Sequence, residues 1–127
     1  MSDLPRHYYA KDFSTQINVL PASVLNNIVC QDNLSFLQQL PDNCIDMIIT
    51  SPPYNFGKDY DLYHDNVAWQ AYFDQTRTLF RECVRVLKYE GRLAINIQPA
   101  YMKNVPTHHF FSMQMIEAGM IWVGEIL

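Results

Sequence analysis

The run Ile45-Asp46-Met47-Ile48-Ile49-Thr50 passes directly into Ser51-Pro52-Pro53-Tyr54. A run dominated by β-branched and other apolar residues reads as a strand buried on both faces. Two consecutive prolines cannot donate ladder hydrogen bonds, so the strand must stop there. The result is a stiff turn at the carboxyl end of a parallel strand, where open α/β sheets place their ligand sites. The turn offers a hydroxyl, an aromatic ring and backbone carbonyls, since proline loses its N–H but keeps its C=O. Acceptors beside a stacking ring suit a planar substrate that carries an exocyclic NH2.

The surrounding pattern supplies the rest of an α/β unit. Residues 1–24 contain Pro5 and Pro21 without clear periodicity and read as an irregular arm. Residues 25–127 read as one domain. Asn27 to Cys30 is predicted as a short strand, and Asp32 or Asn33 as the cap of a helix through Leu40 with Leu34, Leu37 and Leu40 on one face. Pro41-Asp42-Asn43 is a turn. Residues 55–66, polar with interleaved aromatics, read as a long loop of the kind that covers or lines a site. From Ala68 to Lys88, the residues Trp69, Tyr72, Phe73, Thr76, Leu79, Phe80, Cys83 and Leu87 recur at helical spacing, with Gly91 positioned to stop the helix. A strand over Arg92–Ile97, a helix capped by Thr107 and ending at Gly119, and a third strand over Met120–Leu127 complete the expectation. Alternating strands and helices imply a parallel sheet.

Size and charge narrow the function. The chain has 127 residues and is 49% hydrophobic, enough for one folded domain. No apolar run has the length of a membrane span, so no membrane partner is expected. Cys30, Cys44 and Cys83 are odd in number and widely spaced. They form neither a zinc pattern nor a disulfide framework; buried thiols in a reducing cytoplasm are expected. The formal net charge of −4 is unfavourable for contact with phosphates. Lys58 suits either a phosphate contact or a solvated loop, and Asn96 suits either a pocket edge or a structural hydrogen bond.

Ser51-Pro52-Pro53-Tyr54 resembles the catalytic motif of the DNA amino-methyltransferases, which methylate N4 of cytosine or N6 of adenine. Residues 28–34, 37–42, 45–55, 57–60, 85–88 and 91–97 follow that family's order and spacing, and the similarity spans roughly residues 25–127. The resemblance implies a Rossmann-like fold that takes S-adenosylmethionine as methyl donor and DNA as partner. It implies that the Ser51 hydroxyl and Pro52 carbonyl grip the amine, that Pro53 completes the turn, and that Tyr54 stacks on a flipped base. Asn55 and Lys58 extend the motif toward the DNA, and Asp32 lies near the donor's adenosine. Ser51 after Thr50 favours cytosine N4, with adenine N6 as the alternative. A non-catalytic remnant or subunit that binds a complementary chain or DNA is a further reading. The family's glycine-rich donor turn has no counterpart among Gly57, Gly91, Gly119 and Gly124. The expectation is therefore an N-terminal, target-base half in a permuted order, with central strands supplied elsewhere. It is expected to be inactive alone and to pair with the missing half or with itself.

Overall fold

The computed structural model describes residues 14–59, 64–99 and 103–126. Its elements run α1 (Asn33–Leu37), β1 (Ile45–Thr50), α2 (Trp69–Val86), β2 (Leu87–Ile95) and α3 (Thr107–Ala118). β1 and β2 pair in parallel, and α2 makes the connection between them. This is an α/β unit consistent with part of a Rossmann-like methyltransferase fold, as expected from the strand–helix–strand pattern.

The sheet is covered on one face. Ile48 pairs with Leu93 and Thr50 with Ile95, all half-buried, while the alternate pairs Met47–Arg92 and Ile49–Ala94 face outward. Met47 is 53% and Ile49 73% exposed, which corrects the expectation of a strand buried on both faces. Two predicted strands are also absent among the described residues. Residues 27–30 and 120–126 form no ladder, and Ile28 is fully exposed. Both segments have strand-like composition, but a strand exists only with a partner to take its backbone hydrogen bonds.

Two apolar clusters hold the elements together. Tyr72, Phe73 and Phe80 of α2 pack with Phe111 of α3, joined at the edge by Ile95 and Ile97. Leu40, Cys44 and Val86 form the second cluster, against which Leu20, Val24 and Ile48 pack. Arg85 ties this second region together: its guanidinium donates to the Leu37 and Leu40 carbonyls and pairs with Asp42 and Glu82. The Leu37 carbonyl ends α1 and the Leu40 carbonyl lies in the turn that follows it, so Arg85 ties this turn to α2.

Several helix boundaries follow from causes other than those read in the sequence. Thr107 does not cap α3. Pro106 holds that position, and the Thr107 hydroxyl donates instead to the Gln98 carbonyl at 2.7 Å. Gly119 does end α3, in the left-handed conformation at φ 106°. Gly91 does not end α2, whose cap is Leu87 in extended geometry. Gly91 lies instead in a bulge, where Asp46 alone of β1 stands opposite residues 88–91. A Cβ there would come within 2.8 Å of the Lys88 carbonyl and 3.3 Å of the Asp46 carbonyl. Gly91→Ala is therefore expected to destabilise the fold by about 1–3 kcal/mol through overpacking against backbone. An unchanged melting temperature would contradict this.

The thiols divide by burial. Cys44 and Cys83 are buried, whereas Cys30 is exposed, against the expectation that all three are core residues. Burial pushes the Cys83 thiol up to about 11. Because the folded thiol holds its proton longer than the unfolded one, its contribution to stability is present below the ordinary thiol range. That contribution is lost as pH rises from the ordinary value of 9.0 toward about 11. At pH 8, iodoacetamide should label Cys30 quickly and Cys83 only on unfolding. Equal rates at the two positions would refute that account.

Candidate active site at the carboxyl end of the central strand

The Ser51–Tyr54 segment leaves β1 at its carboxyl end, beside the exit of β2. The backbone N–H of Asn96, the first residue after β2, donates to the Thr50 carbonyl at 2.9 Å and so prolongs the pairing by one step. Ser51 is exposed, Pro52 buried, and Pro53 and Tyr54 half-buried. The Tyr54 hydroxyl lies 3.3 Å from Ser51 Oγ and 3.5 Å from the Asn96 carbonyl, which it faces as a donor. The motif's hydroxyl and its aromatic ring therefore meet at one point between the two strand ends. The Asn96 carbonyl joins them through its backbone, not through the amide that drew attention in the sequence. Phe56 packs edge-on against Tyr54 with centroids 5.7 Å apart.

α2 supports the turn from beneath. Tyr72 is 1% exposed, and its hydroxyl donates to the Pro53 carbonyl at 2.6 Å. A buried tyrosine needs an acceptor for its O–H, and a proline carbonyl just past a strand end has no ladder partner of its own. One contact satisfies both groups and fixes the second proline of the motif.

The loop after Tyr54 is built around one carboxylate. Asp65 is 2% exposed. Its Oδ1 accepts from the Asn55 N–H at 2.7 Å, and its Oδ2 accepts from the Phe56 and Lys58 N–H groups, each at 3.0 Å. Asn55 is 1% exposed, with its side-chain amide paired to both backbone groups of Val67 at 2.9 Å. Lys103 donates to the Asn55 carbonyl at 2.9 Å and lies 5.7 Å from the Trp69 ring centroid. Lys58 contributes its backbone to this arrangement and is otherwise exposed. An antiparallel bridge between Asp59 and His64 closes the loop. Tyr60 and Tyr63, two of the aromatics interleaved in this loop, lie outside the described residues.

Asp32 stands apart from this constellation. Its Oδ1 accepts from the Ser35 N–H at 2.9 Å and caps α1. That backbone hydrogen bond holds its carboxyl below the usual carboxylate range. No hydrogen bond among the described residues joins it to Ser51–Tyr54.

Sequence reasoning missed Asp65, Tyr72 and Lys103. The loop offers Asp59, Asp61 and Asp65 as equivalent acids, so nothing in its composition singles one out. Tyr72 carried a usable signal, because a tyrosine on the buried stripe of a helix must direct its hydroxyl at some acceptor.

The DNA methylase family matches residues 45–126, from the first residue of β1 to the end of the described chain. The chain belongs to the DNA amino-methyltransferases. It is 37% identical over 78 residues to Type II methyltransferase M.HpaI of Haemophilus parainfluenzae, a stretch covering 61% of this chain and 25% of that protein. It is 43% identical over 58 residues to Type II methyltransferase M.MjaVI of Methanocaldococcus jannaschii, covering 46% of this chain and 30% of the relative. DNA adenine methyltransferase YhdJ of Escherichia coli is 34% identical over 68 residues, covering 54% and 23%. The matched stretches thus span less than a third of each of these relatives. Among the described residues, no helix is long and apolar enough to cross a membrane.

Proposed function

We propose that this chain forms the target-base half of an S-adenosylmethionine-dependent DNA methyltransferase, acting on the exocyclic amine of a flipped base, with cytosine N4 as the preferred target. The observation that carries the reading is the meeting of Ser51, Tyr54 and the Asn96 carbonyl at the carboxyl ends of two parallel strands. An aromatic amine is a weak nucleophile because its lone pair is delocalised into the ring. Acceptors that hold its N–H groups favour a tetrahedral nitrogen and return the lone pair to it. Ser51 Oγ and the Pro52 carbonyl are the proposed acceptors. Tyr72 occupies the neighbouring Pro53 carbonyl, which leaves Pro53 a structural part in the turn. Tyr54 offers its ring to the base, which must leave the duplex to expose its amine.

The residues present do not by themselves fit the methyl donor. Gly57 and Gly119 serve tight turns, Gly91 serves a bulge, and no glycine-rich cradle follows a strand. Asp32 is our proposed contact to the donor's adenosine, made from its place at the head of α1. The rest of the donor site is assigned to polypeptide beyond these residues, either a C-terminal half or a second chain. The outward Met47 and Ile49 are consistent with such a partner. Lys58 is the proposed phosphate contact, and Asn55 serves the DNA indirectly, through the loop.

The adenine reading draws its support from the similarity to a DNA adenine methyltransferase. Tritiated methyl transfer to mixed-sequence DNA by the whole enzyme, followed by separation of nucleosides, tests the proposal. Label in N4-methylcytosine is the expected result. Label in N6-methyladenine would select the second reading, and label only on ring carbon would overturn both.

A further inference from the structure

The residue that follows the motif is held more firmly than the motif itself. Asn55 has φ 60°, in the left-handed region that asparagine tolerates better than most residues. Every polar group it owns is engaged. The N–H goes to Asp65 and the side-chain amide to Val67, and the carbonyl receives Lys103. Asp65 then gathers the next N–H groups, from Phe56 and Lys58, onto its second oxygen. Phe56, fixed in this way, lies edge-on against the Tyr54 ring. By contrast, among the described residues the Tyr54 hydroxyl has only long contacts of 3.3 and 3.5 Å. The ring thus rests against the side chain of Phe56, whose N–H Asp65 holds, while its own hydroxyl is held only at long range.

We infer that Asp65 and Asn55 are positioning residues for the methyl transfer. They lock residues 55–58 in one conformation and so fix the ring of Tyr54 at the height where a flipped base must lie. The assignment rests on the reading of Ser51–Tyr54 as the target-base site. A carboxylate is required at position 65 because both of its oxygens face N–H donors. The amide of Asp65→Asn presents an NH2 to one set of these donors whichever way it is turned. A buried donor left without an acceptor is costly, and the loop must rearrange to relieve it.

The test uses the whole enzyme and three variants, Asp65→Asn, Asn55→Asp and Ser51→Ala. Asn55→Asp keeps the left-handed preference and the acceptor for the Val67 N–H. In this buried place its carboxyl takes up a proton and the resulting O–H can donate to the Val67 carbonyl in place of the amide, so it is the milder change. Single-turnover methylation and donor affinity are measured with unmodified target DNA. A second duplex with 2-aminopurine at the target position, which has no amine to accept the methyl group there, gives DNA affinity, and its fluorescence reports stacking on Tyr54. Displacement of a reacting group by about an ångström can cost ~100-fold in rate. We expect Asp65→Asn to slow single turnover ~30- to 100-fold and Asn55→Asp ~10-fold. Donor affinity should stay within about twofold, and the flipped-base fluorescence should rise toward that of an unstacked base. Wild-type rates in both variants, in an active enzyme that Ser51→Ala disables, would overturn this inference and leave the functional reading intact. Rate and donor affinity falling in equal proportion would also overturn it, since that pattern marks general loss of structure. Absence of methyl transfer by the wild-type enzyme would overturn both.

Discussion

Replacing Ser51 by alanine in the whole enzyme should lower the single-turnover methylation rate by ~100- to 1000-fold, the loss seen when one preorganised group is removed from a developing charge. Donor affinity should change little. Ser51 is exposed at the end of β1, with Tyr54 as its polar neighbour at 3.3 Å. Truncating it should therefore remove a contact to the substrate without disturbing the core. Tyr54→Ala removes the stacking face and should weaken both DNA binding and rate, again sparing the donor. Base–aromatic stacking is worth about 1–3 kcal/mol, so the rate effect of Tyr54→Ala should be the smaller of the two. Stopped single-turnover assays and a calorimetric donor titration read these quantities separately. Parallel losses of rate and donor affinity in Ser51→Ala would show that the serine serves the donor and not the base.

The largest effect on stability is expected at Phe80. Its side chain is 0% exposed, meets Phe111 edge-to-face with centroids 5.0 Å apart, and lies in the cluster that joins α2 to α3. Phe80→Ala should cost about 3–5 kcal/mol. Single domains are stable by only about 5–15 kcal/mol, so this variant should be largely unfolded near physiological temperature. Circular dichroism during urea titration would show it. A midpoint within experimental scatter of the wild type would mean that α3 docks by other contacts.

The sequence was most legible where one residue type enforces one geometry. Pro52 and Pro53 end a strand, and β1 stops at Thr50. The helical stripe from Trp69 gave α2 nearly to its boundaries, because Tyr72, Phe73, Thr76, Phe80 and Cys83 all turn inward. Gly119 ended α3 as predicted, since its left-handed φ suits a glycine. Legibility failed where structure depends on groups distant along the chain. The segments 27–30 and 121–123 have strand composition, yet Ile28, Ile121 and Val123 lie exposed, because pairing needs an edge that these residues do not find. Asn55 looked like an extension of the motif toward the substrate. Its amide faces inward to Val67, twelve residues away, a pairing that no local pattern encodes. The Asp65 carboxylate was hidden among loop acids for the same reason. The motif named the chemistry, and long-range hydrogen bonds determine which neighbours hold it in place.

The central claim, that the turn after β1 receives the flipped base, can be tested by photocross-linking. A duplex with 5-iodocytosine at the target position is bound to the whole enzyme, irradiated and digested, and the attached peptide is sequenced by mass spectrometry. Iodinated pyrimidines couple to aromatic rings stacked on them, so the account predicts attachment at Tyr54, lost in Tyr54→Ala. Attachment solely to peptides that exclude Ser51–Tyr54, with Tyr54→Ala cross-linking as well as the wild type, would contradict it.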